Sequence, residues 1–514
     1  MGRLYLLDYG AGNVRSLVNA VNSLGYEIEW VKEPEDILKA EKLIFPGVGA
    51  FGSAMESLAS KNYSEPLKKY ISSGKPFMGI CVGLQTLFDS SEENPHVPGL
   101  GIIPGTVKLF NKSDKAVPHM GWNEVSFLKE LENGDEDQRQ NFHYGIREES
   151  VYYFVHSYAV PFSDELKEWT LATTQYGKEM FVSVIQKDNI FATQFHPEKS
   201  GYAGLRILKS FLQGSGIVDV SDQNIVTKDL VLLSHHRFTK RIIACLDVRT
   251  NDQGDLVVTK GDQYDVRERN DTSTSGQVRN LGKPVDLARR YFEEGADEIT
   301  FLNITSFRNC PLADLPMLEI LKLTSETVFV PLTIGGGIRD VTDPNGKYYT
   351  ALEVAGEYFR SGADKVSIGS DAVYAVEKYL SNNSKLSGDT AIETIAHAYG
   401  SQAVVISVDP RRIYVKSPND APGHHVINTK YPGGREGRDV DVHQLVTACE
   451  TMGAGEILLN CMDKDGTNSG YDLELIQDVK MAVKIPVIAS SGAGKLEHFS
   501  EVFSETKVEA ALAA

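Results

Sequence analysis

Eight short apolar runs, separated mostly by helical stretches, fill the chain from Arg241 onward and constrain its fold more than any other feature. Strands that alternate with helices form parallel βαβ units, and eight such units in about 275 residues are typical of a (β/α)8 barrel. We therefore predict an α/β chain in which residues 239–514 form a TIM barrel. The runs are Ile242–Val248, Glu298–Ile304, Thr327–Ile334, Lys365–Ile368, Ala403–Val408, Glu456–Asn460, Val487–Ala489 and Val508–Leu512.

The two halves of this segment resemble one another. Asp247 ends the first run and Asp409 the fifth, and similar Gly-rich strings recur in the same order about 155 to 162 residues apart. Such a repeat indicates a duplicated half-barrel, with the two aspartates on opposite sides of the ring. The matching strings are Glu294–Ile299 with Met452–Ile457, and Val330–Gly337 with Ile485–Gly494.

The chain before Arg241 has a different texture. Apolar runs alternating with helical patterns predict an open α/β sheet, followed by β-rich segments and a last helix, in a domain over residues 1–212. Residues 213–238 lack an apolar period, and we assign them to a linker with one short helix at 229–233. The runs and segments are Leu4–Leu7, Leu43–Phe45, Pro76–Ile80, Tyr152–Val155, Phe181–Ile185, Ile190–Thr193 and the helix Ala203–Leu212.

The composition argues against several kinds of partner. The net charge of -18 and the pI of 5.2 disfavour nucleic acid and anionic membranes, which bind basic surfaces. No run is long enough to span a bilayer, and the five cysteines lack metal-ligand spacing, as expected of free thiols in a reducing compartment. We predict a cytoplasmic chain that uses neither metal nor cofactor.

A reactive thiol is predicted at Cys81. The stretch Gly79–Gln85 has the form G-x-C-x-G, follows an apolar strand and precedes a helix, which is the setting of a nucleophile elbow. The start of the helix favours the thiolate, and the amide of Val82 points to where an oxyanion would form. A buried structural cysteine is the alternative.

The segment Gln194–Glu198 supplies a base for this thiol. The His-x-Glu spacing lets Glu198 orient His196, which can take the thiol proton and later protonate the leaving ammonia. Together with the elbow, these residues resemble the class I, or triad, glutamine amidotransferases over the whole first domain. The resemblance implies that Cys81 attacks the side-chain amide of glutamine and that water hydrolyses the thioester.

The same resemblance implies the rest of the glutamine site. The segment Pro46–Gly49 matches the loop that supplies a second oxyanion amide, at Val48 and Gly49. The positions that match contacts to glutamine are Gln85, Glu93, His156, Ser157 and Tyr158.

A second site is predicted at the mouth of the barrel, since barrel enzymes place their chemistry at the C-terminal ends of the strands. Asp247 and Asp409 would face each other as general acid and general base, although each could instead cap the next helix. The loops Gly335–Gly337 and Ser490–Gly494 predict two phosphate sites, because backbone amides in Gly-rich loops bind phosphate. Two such sites on opposite sides indicate a long bisphosphorylated substrate.

Four barrel segments resemble the cyclase of the imidazole glycerol phosphate synthase family, and the whole chain, linker included, resembles the fused bifunctional form. These segments are Arg241–Val248, Thr333–Ile338, Gly362–Ile368 and Asp463–Thr467. The resemblance implies that ammonia from glutamine reacts in the barrel with the bisphosphorylated ribulosyl-aminoimidazole-carboxamide intermediate PRFAR. The implied products are imidazole glycerol phosphate, for histidine biosynthesis, and the carboxamide ribotide AICAR. Because both domains share one chain, a monomer is expected.

Further barrel residues are assigned by this resemblance. Arg241, Glu298, Lys365 and Glu456, at the starts of strands, match a charged gate for ammonia, where spacing alone would favour a solvated rim. Asp364 matches a residue linked to activation, and we expect slow glutaminase activity that rises when a bisphosphate binds. The positions that match substrate or phosphate contacts are Lys260, Gly337, Gly369, Ser370, Asp465, Gly466, Thr467, Ser490 and Gly492.

Three features depart from the family pattern. Asn303 stands where single-domain cyclases carry Asp, Tyr431 is followed closely by Gly433–Glu436 where a long β-hairpin is usual, and the sequence ends at Ala514 near the eighth run. We therefore expect a shortened loop after strand 5 and a barrel truncated in its last unit, open along an apolar seam.

Two other functions stay open at this point. A glutaminase–barrel pair that makes pyridoxal phosphate would need Schiff-base lysines where Asp247 and Asp409 stand. A barrel that only docks and regulates the glutaminase would show no cyclase turnover when an ammonium salt replaces glutamine.

Overall fold

The computed structural model describes residues 3–10, 12–47, 49–128, 143–214, 238–250, 256–259, 283–304, 315–343, 345–412, 430–431, 436–438 and 440–513. Contacts divide the chain into two compact units: Met1–Thr239 with Ser325–Val330, and Lys240–Thr324 with Pro331–Ala514. The predicted linker falls mostly on residues 215–237, outside the described part, so its extent and its short helix stay predictions. No helix in the described ranges is both long and apolar enough to cross a membrane.

An eight-stranded mixed sheet forms the centre of the first unit. The first five strands in spatial order are parallel and the remaining three join them antiparallel. The apolar run Phe77–Ile80 is fully buried in the middle of this sheet, so the residue that follows it emerges at the sheet's C-terminal edge. The predicted open α/β sheet is confirmed. In spatial order the strands are Glu29–Trp30, Leu4–Leu6, Lys42–Phe45, Phe77–Ile80, Ile190–Thr193, Glu179–Lys187, Thr170–Tyr176 and Ser126–Phe127.

Smaller sheets and helices surround this sheet. Tyr158–Ala159, Ile103–Leu109 and Phe88–Ser91 form a three-stranded sheet, and His119–Glu124 pairs antiparallel with Val151–His156. The α-helices are Arg15–Ser23, Pro34–Lys39, Phe51–Ser60, Ser64–Ser72, Val82–Gln85 and Gly201–Gln213, and the 3-10 helices are Asp164–Leu166 and Pro197–Lys199.

The second unit is a closed barrel of eight parallel strands. Each strand pairs with the next along the chain, and the eighth pairs with both the seventh and the first. Side chains such as Ile243, Val405, Leu458 and Leu512 fill its interior. We number the barrel strands 1 to 8: Arg241–Thr250, Glu298–Asn303, Leu332–Gly335, Lys365–Ile368, Val404–Val408, Glu456–Asn460, Val487–Ser490 and Ala510–Ala513.

The remaining elements of the second unit connect these strands. Leu256–Thr259 pairs antiparallel with strand 1, and short antiparallel pairs join Val341–Thr342 with Tyr348–Tyr349 and Lys430–Tyr431 with Glu436–Gly437. The helices are Pro284–Glu293, Leu315–Thr324, Ala351–Ser361, Ser370–Ser381, Ala391–Tyr399, Val442–Met452, Leu473–Ala482 and Leu496–Thr506, with a 3-10 turn at Ser401–Ala403.

The predicted barrel is confirmed, but the expectation that it would be open is wrong. Four residues of strand 8 are enough to bridge the first and seventh strands, and Ala510 and Ala511 are fully buried. The expected loss of the strand-5 hairpin is only partly testable. Lys430–Tyr431 pairs antiparallel with Glu436–Gly437, whereas residues 413–429 and 432–435 lie outside the described ranges, so shortening of that loop stays a prediction.

Acidic side chains tie the starts of neighbouring barrel strands together. A carboxylate just before an even-numbered strand accepts a hydrogen bond from a backbone N–H of the preceding strand. The pairs are Asp297 with Ile242 at 2.7 Å, Asp364 with Leu332 at 2.8 Å and Glu509 with Val487 at 3.0 Å. Gly455 takes the fourth such place, where a Cβ would lie 2.1 Å from the carbonyl oxygen of Ser401. The carboxylate contact therefore recurs before strands 2, 4 and 8 and is absent before strand 6.

Candidate active sites

Cys81 lies on a sharp turn between the central strand Phe77–Ile80 and the short helix Val82–Gln85. Its φ of 50° lies in the region that side chains other than glycine rarely adopt. The backbone is held there because the amide of Cys81 donates to the carbonyl of Thr193 at 2.7 Å. The thiol therefore stands at the edge of the sheet in the strained geometry of a nucleophile elbow.

Glycines allow a neighbouring loop to approach this elbow. A Cβ on Gly47 would lie 1.8 Å from the carbonyl oxygen of Ile80 and 2.3 Å from the amide nitrogen of Val82. A Cβ on Gly83 would lie 2.3 Å from the carbonyl oxygen of Phe45. The loop predicted to supply the second oxyanion amide thus contacts the elbow backbone. Gly49 has a φ of 144°, and Val48 lies outside the described residues.

Because both contacts of Gly47 are with backbone atoms, we expect Gly47→Ala to displace the elbow. The predicted cost is about 1–3 kcal/mol of unfolding free energy, together with loss of most glutamine hydrolysis. Urea denaturation and a glutaminase assay measure the two effects. Gly74→Ala is the control, because its added Cβ meets nothing within 4 Å and only its φ of 79° opposes the change. Equal behaviour of the two variants would contradict the crowding argument.

His196 and Glu198 complete the candidate triad. The Nδ1 atom of His196 lies 2.8 Å from Oε1 of Glu198, and both side chains are buried. Burial alone would lower the pKa of His196, but the charges of Glu198 and of Cys81 outweigh it and raise this pKa to about 10. At neutral pH the proton therefore resides on the imidazole, which stabilises a thiolate at Cys81.

The predicted glutamine-binding residues are brought to the same edge of the sheet. Nε2 of Gln85 donates to the carbonyl oxygen of Tyr158 at 2.9 Å. Oε2 of Glu93 accepts from the amide of Phe51 at 2.8 Å, and burial raises the pKa of this carboxyl. Ser157 lies between His156 and Tyr158, and its carbonyl accepts a hydrogen bond from the amide of Phe110 at 3.0 Å.

Two residues of this region were given no role by sequence reasoning. Nε2 of Gln194 lies 3.4 Å from Sγ of Cys81, and its Oε1 accepts from Nε2 of Gln85 at 3.1 Å. His119 is fully buried, with Nδ1 3.3 Å from Nε2 of His156. A place for Gln194 in the site could have been predicted from its position two residues before His196. No feature of the sequence links residues 119 and 156.

At the barrel mouth, Asp247 lies near the C-terminal end of strand 1, which continues to Thr250 where the sequence predicted an end at Asp247, and Asp409 directly follows strand 5. Strands 1 and 5 lie opposite each other in the closed ring. Burial and the nearby charge of Asp465 raise the pKa of Asp247 to about 6. The thiol of Cys245, 3.9 Å from Oδ1 of Asp247, lowers this pKa by a smaller amount. Oδ1 of Asp409 instead accepts a hydrogen bond from Nδ2 of Asn460 at 2.9 Å. The two carboxyl groups therefore lie in different surroundings.

The predicted phosphate loops surround this mouth. Gly337 follows strand 3 with a φ of 75°, and Gly369 precedes the helix that begins at Ser370. Gly466 has a φ of 70° after strand 6, beside Thr467, whose hydroxyl donates to the carbonyl of Lys464 at 2.8 Å. The other predicted residues are Ser490 at the end of strand 7 and Gly492, while Lys260 lies outside the described residues.

Close packing requires glycine at the last of these positions. Gly492 has a φ of 101°, and a Cβ there would lie 2.3 Å from the carbonyl oxygen of Gly470. The amide of Gly470 donates in turn to the carbonyl of Gly492 at 2.8 Å, which locks the loops after strands 6 and 7 together.

The four charged residues at the strand starts form one closed ring of ion pairs. Arg241 contacts Glu298 at 2.9 Å and also Glu456, and Lys365 lies 2.6 Å from Glu298 and 2.7 Å from Glu456. Each side chain is at most 1% exposed, so the ring is not a solvated rim. Burial would raise the pKa of Glu456, but the charges of Arg241 and Lys365 hold it below its ordinary value. We call these four residues the charge ring.

Comparisons with known proteins cover both units of the chain. Residues 5–213 match the class-I glutamine amidotransferase family model, and residues 241–514 match that of the histidine biosynthesis proteins. The imidazole glycerol phosphate synthase hisHF of Emericella nidulans is 60% identical over 533 residues, covering 100% of this chain and 94% of that protein. The Schizosaccharomyces pombe protein of the same name is 59% identical over 526 residues, covering 99% and 94%. The chloroplastic hisHF of Arabidopsis thaliana is 53% identical over 525 residues, covering 99% and 85%.

These matches define a class of enzyme in which an amidotransferase domain feeds an attached biosynthetic barrel. The chain belongs to the imidazole glycerol phosphate synthase family, in the form that fuses the glutaminase and the cyclase of histidine biosynthesis. The resemblance found in the sequence is thereby confirmed, and the pyridoxal phosphate alternative is wrong.

Proposed function

We propose that Cys81, His196 and Glu198 hydrolyse glutamine through a thioester. The thiolate attacks the side-chain amide carbon, and His196 donates its proton to the nitrogen as ammonia leaves. His196 then takes a proton from water, which attacks the thioester and releases glutamate. The observation that carries this proposal is the buried 2.8 Å contact of His196 with Glu198, which keeps the imidazole charged beside the elbow thiol.

Backbone amides would stabilise the oxyanion of both steps. The amide of Val82 opens the helix behind Cys81, and the loop containing Val48 and Gly49 contacts this elbow through Gly47. We propose that this loop supplies the second donor and that its adjustment accounts for activation by the barrel substrate.

In the barrel we propose that Asp247 acts as general acid and Asp409 as general base in the reaction of ammonia with PRFAR. The raised pKa of Asp247 allows it to hold a proton, while Asp409 accepts a hydrogen bond from Asn460. The phosphates would bind at the loops around Gly337 and Ser370 on one side and Gly466 and Gly492 on the other. The products are imidazole glycerol phosphate and AICAR.

Ammonia-dependent turnover tests the two halves separately. With an ammonium salt in place of glutamine, the barrel should form imidazole glycerol phosphate without help from Cys81. Absence of that turnover in a chain that still hydrolyses glutamine would favour a barrel that only docks and regulates.

The charge ring is proposed to admit ammonia to the barrel interior. Its charges cancel, and each acid contacts both bases, so the ring closes the bottom of the barrel without leaving an unpaired ion. Thr333 adds a neutral donor, with its hydroxyl 2.7 Å from Glu298. A neutral molecule the size of ammonia can pass such a ring after a small side-chain shift, whereas a cation would have to displace a paired charge.

Lys365→Ala is expected to uncouple the two reactions. Ammonium-dependent cyclase activity should remain, while glutamine consumed should exceed product formed by about twofold or more, because the opened ring leaks ammonia. Removing one partner of a buried pair also costs about 3–5 kcal/mol, so Lys365→Met, which keeps the aliphatic stem, is the second variant. The control is Arg360→Ala, which removes an exposed pair with Glu357. A ratio of one in both Lys365 variants would refute the gate.

Two broader properties belong to the same proposal. We propose that the chain acts as a monomer, because it carries both domains. We also propose a reducing compartment, the cytoplasm, since the nucleophile Cys81 must stay a free thiol, as it is in the structure.

A further inference from the structure

A line of buried polar side chains leads from the small antiparallel pair of strands to the nucleophile. His119 and His156 lie directly opposite each other in that pair. We call this line the amide–imidazole chain; its members are Asn123, His119, His156, the carbonyl of Tyr158, Gln85, Gln194 and Cys81.

The hydrogen positions at the far end of the chain are fixed by backbone groups. Oδ1 of Asn123 accepts from the amide of Glu124 at 2.9 Å, and its Nδ2 donates to the carbonyl of Gln175 at 3.1 Å. The same Nδ2 lies 3.2 Å from Nε2 of His119, which must therefore accept. His119 is then neutral with its hydrogen on Nδ1, and it donates to Nε2 of His156 at 3.3 Å.

The near end gives the same assignment independently. Nδ1 of His156 lies 2.8 Å from the carbonyl oxygen of Tyr158 and must donate to it, so its Nε2 is free to accept from His119. Burial lowers the pKa of His119 well below its ordinary value and that of His156 to about 3, so both rings are neutral at working pH. Nearby cations, Lys115 for His119 and His196 for His156, act in the same direction.

The carbonyl of Tyr158 also fixes the amide that faces the thiol. It accepts from Nε2 of Gln85 at 2.9 Å, so Gln85 presents nitrogen to Gln194 as well, at 3.1 Å. Gln194 must therefore accept this hydrogen bond with Oε1. Its own Nε2 then points toward Sγ of Cys81, 3.4 Å away. If this amide were reversed, its oxygen would face the thiolate and destabilise it.

We infer that Gln194 is a catalytic residue that donates a hydrogen bond to the thiolate of Cys81, and that His119 is a positioning residue that keeps this donor correctly turned. The inference deepens the proposed function and rests on Cys81 being the nucleophile. Without the donor at His119, Nε2 of His156 loses its partner, and the ring that holds the Tyr158 carbonyl at 2.8 Å is placed less firmly. The carbonyl to which Gln85 donates can then shift, which loosens the hold of Gln85 on the amide of Gln194.

The stacking around His119 allows hydrogen bonding to be separated from packing. Its ring lies 4.0 Å from that of Tyr176 and 4.9 Å from that of Phe154, in stacked geometry. Phe238 covers it at 5.3 Å, and Phe110 contacts it edge-on at 6.2 Å. His119→Phe keeps the aromatic volume and loses both hydrogen bonds, whereas His119→Asn can place an amide N–H where Nδ1 stood.

The test uses the full-length chain and iodoacetamide as the probe of thiolate reactivity. Alkylation of Cys81 at pH 7 is followed after subtraction of the Cys81→Ala background, and kcat and KM for glutamine are measured in parallel. We expect alkylation and kcat to fall about tenfold or more in Gln194→Met and about fivefold in His119→Phe, and to stay within about twofold in His119→Asn. KM should change less than kcat, because the lost bond is to the nucleophile. Phe110→Leu, which loosens the same cluster without removing a side-chain hydrogen bond, should leave alkylation unchanged.

Each outcome decides the matter. Unchanged alkylation in Gln194→Met overturns the inference, and so does equal slowing in His119→Phe and Phe110→Leu, which would make packing the cause. Gln194→Met remains informative even if His119→Phe fails to fold. If the parent chain releases no ammonia from glutamine, the proposed function falls, while the alkylation comparison still shows whether the thiolate has its donor.

Discussion

Cys81→Ser is expected to reduce glutamine-dependent formation of imidazole glycerol phosphate by about a thousandfold or more. A thiol can pass its proton to an imidazole whose pKa is about 10, and the resulting ion pair is ready to attack. A serine hydroxyl is far too weak an acid to ionise in this way, although it fits the same elbow. Steady-state assays with glutamine and with an ammonium salt measure the effect, and only the glutamine rate should fall.

The ammonium rate is the internal control for this experiment. Cys449→Ser is the matched control variant, because Cys449 is also a buried free thiol, on the helix Val442–Met452 of the second unit. It should leave glutamine hydrolysis unchanged. Residual hydrolysis above about one per cent in Cys81→Ser, or an equal loss in Cys449→Ser, would contradict the assignment of the nucleophile.

The sequence predicted the barrel well because its strands are short, apolar and separated by helices at nearly regular spacing. It placed strands 2, 4, 5, 6 and 7 to within one residue, but it started strand 3 at Thr327, whereas the strand begins at Leu332. The run Thr327–Val330 is apolar and mostly buried, but it precedes Pro331, which cannot donate to a sheet, and strand pairing begins only after that residue. Apolar composition shows burial and does not by itself show pairing.

Some site residues can be predicted from local sequence spacing, and others come together only in the folded chain. Cys81, His196 and Glu198 could be proposed as a triad from the sequence because their chemistry requires fixed local spacings. The burial of the charge ring was beyond sequence reasoning, since the starts of four strands come together only when strand 8 closes on strand 1. The same is true of His119 and His156, which meet through antiparallel pairing across 37 residues.

Asp247→Asn is expected to reduce imidazole glycerol phosphate synthesis by about a hundredfold to ten-thousandfold with either nitrogen source, the range that loss of a general acid–base group gives. Glutamine hydrolysis without barrel substrate should not change, because the triad lies in the other unit. Asn303→Ala, at the neighbouring strand end and outside the proposed acid–base pair, serves for comparison and should have a smaller effect. A variant that kept ammonium-dependent synthesis would show that Asp247 is not the acid.

Asp247→Asn is expected to increase the stability of the fold, although it decreases activity. Burial raises the pKa of Asp247 from 3.8 to about 6, so the folded state resists ionisation of this carboxyl. Its favourable contribution is complete below pH 3.8 and is lost as pH rises through about 6. The free energy of unfolding of Asp247→Asn should therefore rise relative to that of the parent as pH increases from 3.8 to about 6. Above pH 6 the variant should remain more stable, by up to about 3 kcal/mol. Urea unfolding of both proteins at pH 5, 6 and 8 measures this difference. A variant that is less stable than the parent at pH 8 would contradict burial as the dominant influence on the Asp247 carboxyl.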